Sequence, residues 1–161
     1  MSTKDKSVIS IYTDGAARGN PGPGGFGAIL MWGDIKKEIS GGYRYTTNNR
    51  MELLAVIKAL EELKKNTIPI VIFSDSAYVV RAVEEGWLSK WIKTNFAGGK
   101  KNKDLWLRYA LLAKQHQIKF KWVKGHADNP YNNRCDVLAT EAADSSNLLV
   151  DEEYEKENPL K

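Results

Sequence analysis

Four acidic residues stand where an acid is either conspicuous or costly. Asp14 and Asp75 each follow an apolar, strand-like run, SVISIYT and IPIVIFS. In open α/β sheets, ligand sites gather at the carboxyl ends of parallel strands. Glu52 lies in the helix-like stretch NRMELLAVIKALEELKK. At 100° per residue it falls within about 40° of Val56, Ala59 and Leu63, at the edge of the apolar face and away from Lys58, Glu61 and Lys65. Asp136 falls within about 60° of Ala139 and Ala143 on a later helix-like stretch. A carboxylate so placed is part-buried and needs a partner.

Taken singly, each acid has an ordinary reading: a turn or cap aspartate for Asp14 and Asp75, an ion pair with Arg50 or Arg134 for Glu52 and Asp136. Together they suggest other chemistry. Crowded carboxylates raise one another's pKa unless cations neutralise them. Hard divalent ions do this with oxygen ligands alone, and Mg²⁺ keeps positions for water and substrate phosphate. Two such ions about 4 Å apart can clamp the attacking and leaving oxygens of a phosphodiester. His126, in VKGHADNP, precedes Asp136 by ten residues on a Gly-containing loop. An imidazole beside a metal site suits proton transfer.

Holding these groups together requires a mixed α/β sheet. Ser7–Thr13, Phe26–Trp32 and Ile35–Tyr43 read as strands joined by connections too short for a crossover helix, hence antiparallel. Gly33 and Asp34 offer a tight turn. A loop with five glycines and two prolines separates Asp14 from Phe26. A helix follows, capped by Thr47 or Asn48, with apolar residues at 53, 56, 57, 60 and 63. Ile68–Phe73 reads as a buried central strand reached by a right-handed crossover. Helices are expected over about 76–85, 103–115 and 131–144. The run IKFKWVK alternates Ile118, Phe120 and Trp122 with lysines, as a half-exposed strand does.

The chain has 161 residues, which bounds it to one domain, expected over residues 1–144, with an acidic, mobile tail over 145–161. No apolar run approaches the ~18 residues of a membrane helix. The start, MSTKDKS, lacks the apolar core of a signal peptide. The one cysteine, Cys135, allows no internal disulfide. Its helical position puts it on the apolar face, as a buried thiol and not a nucleophile. A monomer in a reducing cytoplasm is expected. The whole chain carries 24 bases and 20 acids; the stretch from Asp144 on holds six acids and two bases, so the remainder stands at 22 against 14, a net +8. A basic body suits a polyanionic partner such as nucleic acid.

The blocks YTDGAARGNPGPGGFGAIL, TTNNRMELLAVIKAL, FSDSAYV, DLW and WVKGHADNPYNNRCDVLA resemble bacterial type 1 ribonuclease H, in that family's order and spacing across about residues 7–143. The resemblance implies the ribonuclease H-like fold: a five-stranded mixed sheet of order 3-2-1-4-5, its first three strands antiparallel, with helices on both faces. It implies an endonuclease that cuts the RNA strand of RNA/DNA hybrids by a two-metal-ion mechanism, leaving 5′-phosphate and 3′-hydroxyl ends. Asp14, Glu52, Asp75 and Asp136 would hold two Mg²⁺ ions with substrate bound, Mn²⁺ being able to substitute and Asp14 bridging the pair. His126 would handle protons and assist product release. Asn20 resembles a contact to the RNA backbone, Asn48 and Asn49 groups that read 2′-hydroxyls, and Thr47 and Asn102 groups that hold a DNA-strand phosphate.

The segment GWLSKWIKTNFAGGKKNK interleaves Trp87, Trp91 and Phe96 with lysines and resembles the family's basic protrusion. Lysines would meet phosphates while an aromatic face packs on a sugar or base. Three departures from the pattern stand out: Ala77 where many relatives have glutamine, a protrusion a few residues shorter, and Asp128 close to His126, where it would raise the imidazole pKa. A non-catalytic hybrid-binding module on the same fold is the alternative, favoured had any of the four acids been absent. A two-lobed nucleotide phosphotransferase, whose loop also begins with Asp-Gly, needs a second lobe for which 161 residues leave no room.

Overall fold

The computed structural model describes residues 6–64, 67–124 and 129–159. Its sheet has five strands, β1 (Ile9–Ala17), β2 (Gly22–Trp32), β3 (Ile35–Thr46), β4 (Ile70–Ser74) and β5 (Ile118–Trp122), in the order β3-β2-β1-β4-β5. β1, β2 and β3 pair antiparallel, whereas β4 is parallel to both β1 and β5. The helices are α1 (Asn48–Glu61), α2 (Ala77–Glu84), α3 (Trp87–Lys93), α4 (Lys103–Ala113), α5 (Pro130–Ala143) and α6 (Glu152–Glu157). No helix among the described residues is long and apolar enough to cross a membrane.

α1 packs on β1 and β2 from one side of the sheet and against α4 on its other flank. Every residue from Arg50 to Ile57 is therefore buried. Thr47 caps the helix, its Oγ1 accepting the Arg50 amide at 3.2 Å. α5 crosses the opposite sheet face over β1, β2 and β3. Its close seat depends on Gly27, where a Cβ would fall 2.6 Å from the Cys135 carbonyl oxygen. Cys135 is fully buried there, and its Sγ donates to the Tyr12 carbonyl at 3.3 Å.

Several boundaries differ from expectation, each for a packing reason. The glycine-rich stretch is not a loop. β1 continues through Asp14 to Ala17 and β2 begins at Gly22, with Gly15 opposite Phe26 and Ala17 opposite Gly24. Glycine is depleted in strands for want of a side chain to pack, yet at Gly15 that lack is what admits the backbone of α1. α3 arises where only a basic segment was read. Trp122 is 56% exposed, not half-buried.

The tail also departs from expectation. Rather than lying free, residues 148–158 are docked: Leu149 bridges to Tyr43, its N–H donating to the Gly42 carbonyl at 2.9 Å, and Asp151 is 8% exposed. Two acids of the segment meet arginines of the body, Asp151 with Arg50 and Glu155 with Arg44. Charge complementarity between the acidic tail and the basic body is the physical reason.

Candidate active site

Parallel pairing of β1 with β4 ends at Tyr12 and Phe73. Asp14 and Asp75 each lie two residues further on, so the two acids reach the same end of adjacent strands. Gly15 then brings in the third. A Cβ at that position would collide with the backbone of Met51 and Glu52, so only glycine lets the first turns of α1 approach β1 this closely. The outcome is a cluster in which carboxylate oxygens of Asp14, Glu52 and Asp75 all lie within 4.8 Å of one another. Asp14 and Glu52 are each only 6% exposed.

The electrostatics follow from that crowding. Burial, then the charge of Asp75, pushes Asp14 up to about 8, against a 2.9 Å hydrogen bond from the Gly15 amide and with a smaller upward push from Asp136. Burial, then the charges of Asp14 and Asp75, holds Glu52 well above the usual carboxylate range. Oε1 of Glu52 is buried with no hydrogen-bond partner among the described residues. The ion pairs that would have explained these acids are used elsewhere. Arg50 binds Asp104 and Asp151, and Arg134 binds Glu38. An all-oxygen set of three crowded carboxylates, one with an orphaned buried oxygen, fits a hard divalent cation.

Asp136 is exposed, a correction to its expected part-burial. Helical stepping gives the direction of a side chain around its own axis, but not whether another element extends far enough to cover it. Its charge still reaches Asp14, which places it at the rim of the cluster. His126 and Asp128 lie outside the described residues.

The residues matched to substrate contacts gather around the start of α1. The Asn20 side chain accepts the Asn48 amide at 3.1 Å, tying the β1–β2 connection to the helix N-terminus. Asn49 is exposed beside it. Asn102, ahead of α4, accepts from Arg50 at 3.3 Å and donates to the Tyr78 hydroxyl at 3.0 Å. Beyond it lies the basic segment. Trp91 centres a ring cluster with Tyr78, Trp87, Phe96 and Trp106, at centroid separations of 6.0–6.4 Å. Trp87 and Trp91 are half-buried, and Lys90, Lys93, Lys100 and Lys101 are exposed around them. Phe96 is 7% exposed, so it anchors this segment to the core and offers little surface to a ligand.

Sequence reasoning missed Arg50 as anything but a partner for Glu52. The available signal was its place two residues before Glu52, at the start of the helix's apolar run.

A model of the RNase H family matches residues 5–144. The chain belongs to the ribonuclease H family. Among its relatives, the ribonuclease H of Syntrophus aciditrophicus (strain SB) is 52% identical over 153 residues, covering 92% of this chain and 87% of that protein. The ribonuclease H of Lachnoclostridium phytofermentans is 54% identical over 153 residues, covering 89% and 96%. Among solved structures, LC9-RNase H1, a type 1 RNase H with the type 2 active-site motif, superposes with a TM-score of 0.76 at 27% identity, covering 99% of this chain and 83% of the other. LC11-RNase H1 in complex with an RNA/DNA hybrid superposes at 0.63 and 28% identity, covering 84% and 96%. Ribonucleases H need a divalent metal, and the Asp14–Glu52–Asp75 cluster is a donor set able to hold one.

Proposed function

We propose that the protein is an endoribonuclease that hydrolyses the RNA strand of RNA/DNA hybrids at the Asp14–Glu52–Asp75 cluster, with Asp136 completing it from the rim. The supporting observation is the convergence of three carboxylates within 4.8 Å, two of them nearly fully buried, while Arg50 and Arg134 are spent on other acids. Such a cluster is unfavourable in the empty protein and becomes favourable once a divalent ion is bound.

Asp14, Glu52, Asp75 and Asp136 would hold two Mg²⁺ ions (or Mn²⁺) with substrate bound, and the ions would supply Lewis-acid polarisation and neutralise developing charge on the phosphodiester. Water attacks the scissile phosphorus, the P–O3′ bond breaks, and a proton reaches the departing 3′ oxygen, leaving 5′-phosphate and 3′-hydroxyl ends. His126 is assigned to proton handling on the family motif. The chain's own contribution is preorganisation: Gly15 and the Thr47 cap seat α1 so that Glu52 and Asp14 are already converged.

Asn48 and Asn49 stand one turn before Glu52 on α1, where reading a 2′-hydroxyl would select RNA at the cleaved strand. Asn20 would contact the RNA backbone beside them. Thr47 and Asn102 would hold a DNA-strand phosphate. Trp87, Trp91 and the surrounding lysines would grip the duplex, with Phe96 as their buried support. The protein would act as a cytoplasmic monomer.

The test is cleavage of an end-labelled RNA/DNA hybrid beside duplex DNA, duplex RNA and single-stranded RNA, each with Mg²⁺, Mn²⁺ or EDTA. Metal-dependent cutting of the hybrid's RNA strand alone is expected. Binding of the hybrid without cutting in either metal would overturn the reading.

A further inference from the structure

The docked C-terminal segment meets the body at one buried cation. Arg50 is 4% exposed, and its guanidinium carries five N–H donors and no acceptor. All five are used. Nε and Nη2 donate to Asp151 at 2.7 and 2.9 Å, Nη1 and Nη2 to Asp104 at 2.9 and 2.7 Å, and Nη1 to Oδ1 of Asn102 at 3.3 Å. Asp151 is itself fixed by the Thr46 hydroxyl, which donates to it at 2.6 Å. Two of the five acceptors that orient Arg50 thus come from the tail.

The bond to Asn102 has a consequence for binding. An amide side chain has two orientations that differ by exchange of its oxygen and nitrogen. Because Arg50 can only donate, Oδ1 must face it, and Nδ2 must face the other way. Nδ2 donates to the Tyr78 hydroxyl at 3.0 Å, and that oxygen also accepts from Nε1 of Trp106 at 2.7 Å. A second Nδ2 hydrogen remains without a protein partner among the described residues, on a half-exposed side chain. The opposite orientation would present an oxygen to an approaching phosphate and repel it. Asn102 makes no capping bond to α4 that would hold it by other means, and its backbone is left-handed with φ 66°.

We infer that Asp151 is a positioning residue for substrate: it locks Arg50, and Arg50 locks the Asn102 amide with its N–H groups toward a phosphate of the DNA strand. The inference rests on the reading of Asn102 as a phosphate contact and gives the acidic tail a role in affinity for the hybrid.

The experiment measures KM and kcat on hybrids whose DNA-strand phosphates are replaced one at a time by neutral methylphosphonates. In the wild-type chain, one position is expected to raise KM about tenfold, the loss of a charge-assisted hydrogen bond. In Asp151→Asn, KM on the unmodified hybrid rises with kcat unchanged, and the penalty at that position shrinks to about twofold. Asp151→Glu, which restores the carboxylate, recovers part of the penalty. Arg44→Gln frees α6 from its other ion pair without touching Arg50 and leaves the penalty intact. Should Asp151→Asn fail to fold, Arg50→Lys takes its place, since a lysine cannot hold both aspartates and Asn102 together. An undiminished penalty in these variants overturns the positioning role. No penalty at any position in the wild-type chain overturns the phosphate contact itself, a separate result.

Discussion

Arg50 and Glu52 stand two residues apart on α1, and both are more than nine-tenths buried. Their surroundings are opposite. Around Arg50 every donor has an acceptor, and Asp104 and Asp151 balance the charge. Burial works against that charge, but the hydrogen bonds it donates to Asp104 and Asp151 outweigh it and hold the guanidinium protonated; against burial, the same contact draws Asp104 below its usual value. Around Glu52 the neighbours are two more acids, one oxygen has no partner among the described residues, and burial with like charge favours the neutral form. One helix turn therefore holds a completed polar network and an incomplete one. The complete network serves architecture and positioning, whereas the incomplete one requires something from outside the chain.

The sharpest division of the two comes from paired substitutions. Asp14→Asn is expected to lower the cleavage rate about a thousandfold or more, and to raise the thermal midpoint of the metal-free protein by relieving repulsion with Asp75. A coincident fall in both would show that the cluster is structural. Arg50→Ala should instead act on stability, destabilising by about 3–5 kcal/mol in urea unfolding because Asp104 and Asp151 are left facing each other. A loss below about 1 kcal/mol would mean the network contributes little.

The acid cluster also makes stability depend on pH. Asp14 titrates near 3.8 when unfolded and about 8 when folded, so between those values the folded state holds more protons. Metal-free stability then falls as pH rises through that window and levels off above it. Thermal melts against pH should show this slope, flattened in Asp14→Asn. Adding Mg²⁺ should raise the midpoint by about 4 °C or more near pH 8 and by less near pH 6, because binding requires the ionised acids. A pH-independent increment would separate the ion from this cluster. The smallest effect is expected from Glu155→Gln. In its pair with Arg44 the arginine is half exposed although Glu155 is largely covered, and the melting midpoint should fall by no more than about 2–4 °C.

Much of this was legible in the chain itself. The three antiparallel strands and the crossover appear in the pattern of short connections and apolar runs, because strand pairing follows chain connectivity when the links are short. The strand order, and with it the parallel β1–β4 neighbours, is implied only by the family resemblance. The Glu52 side chain was readable as part-buried from its position on the wheel. The same argument failed for Asp136, and it gave no hint that Arg50 is enclosed on the opposite flank of the same turn. A wheel ranks faces by apolarity, and α1 is covered on more than one face, by the sheet and by α4.

The residue types and their order determined which groups could do chemistry: acids after strands, glycine at the seat of a helix, lysines among aromatics. Those are local properties, set by side-chain identity and backbone freedom. Only the tertiary structure decided which charges are answered. It sent Arg50 to Asp104 and Asp151 and not to its neighbour Glu52, and brought an acidic tail from 101 positions away to do so. Electrostatic pairing depends on distance in space and on exclusion of water, and neither is a property of sequence separation.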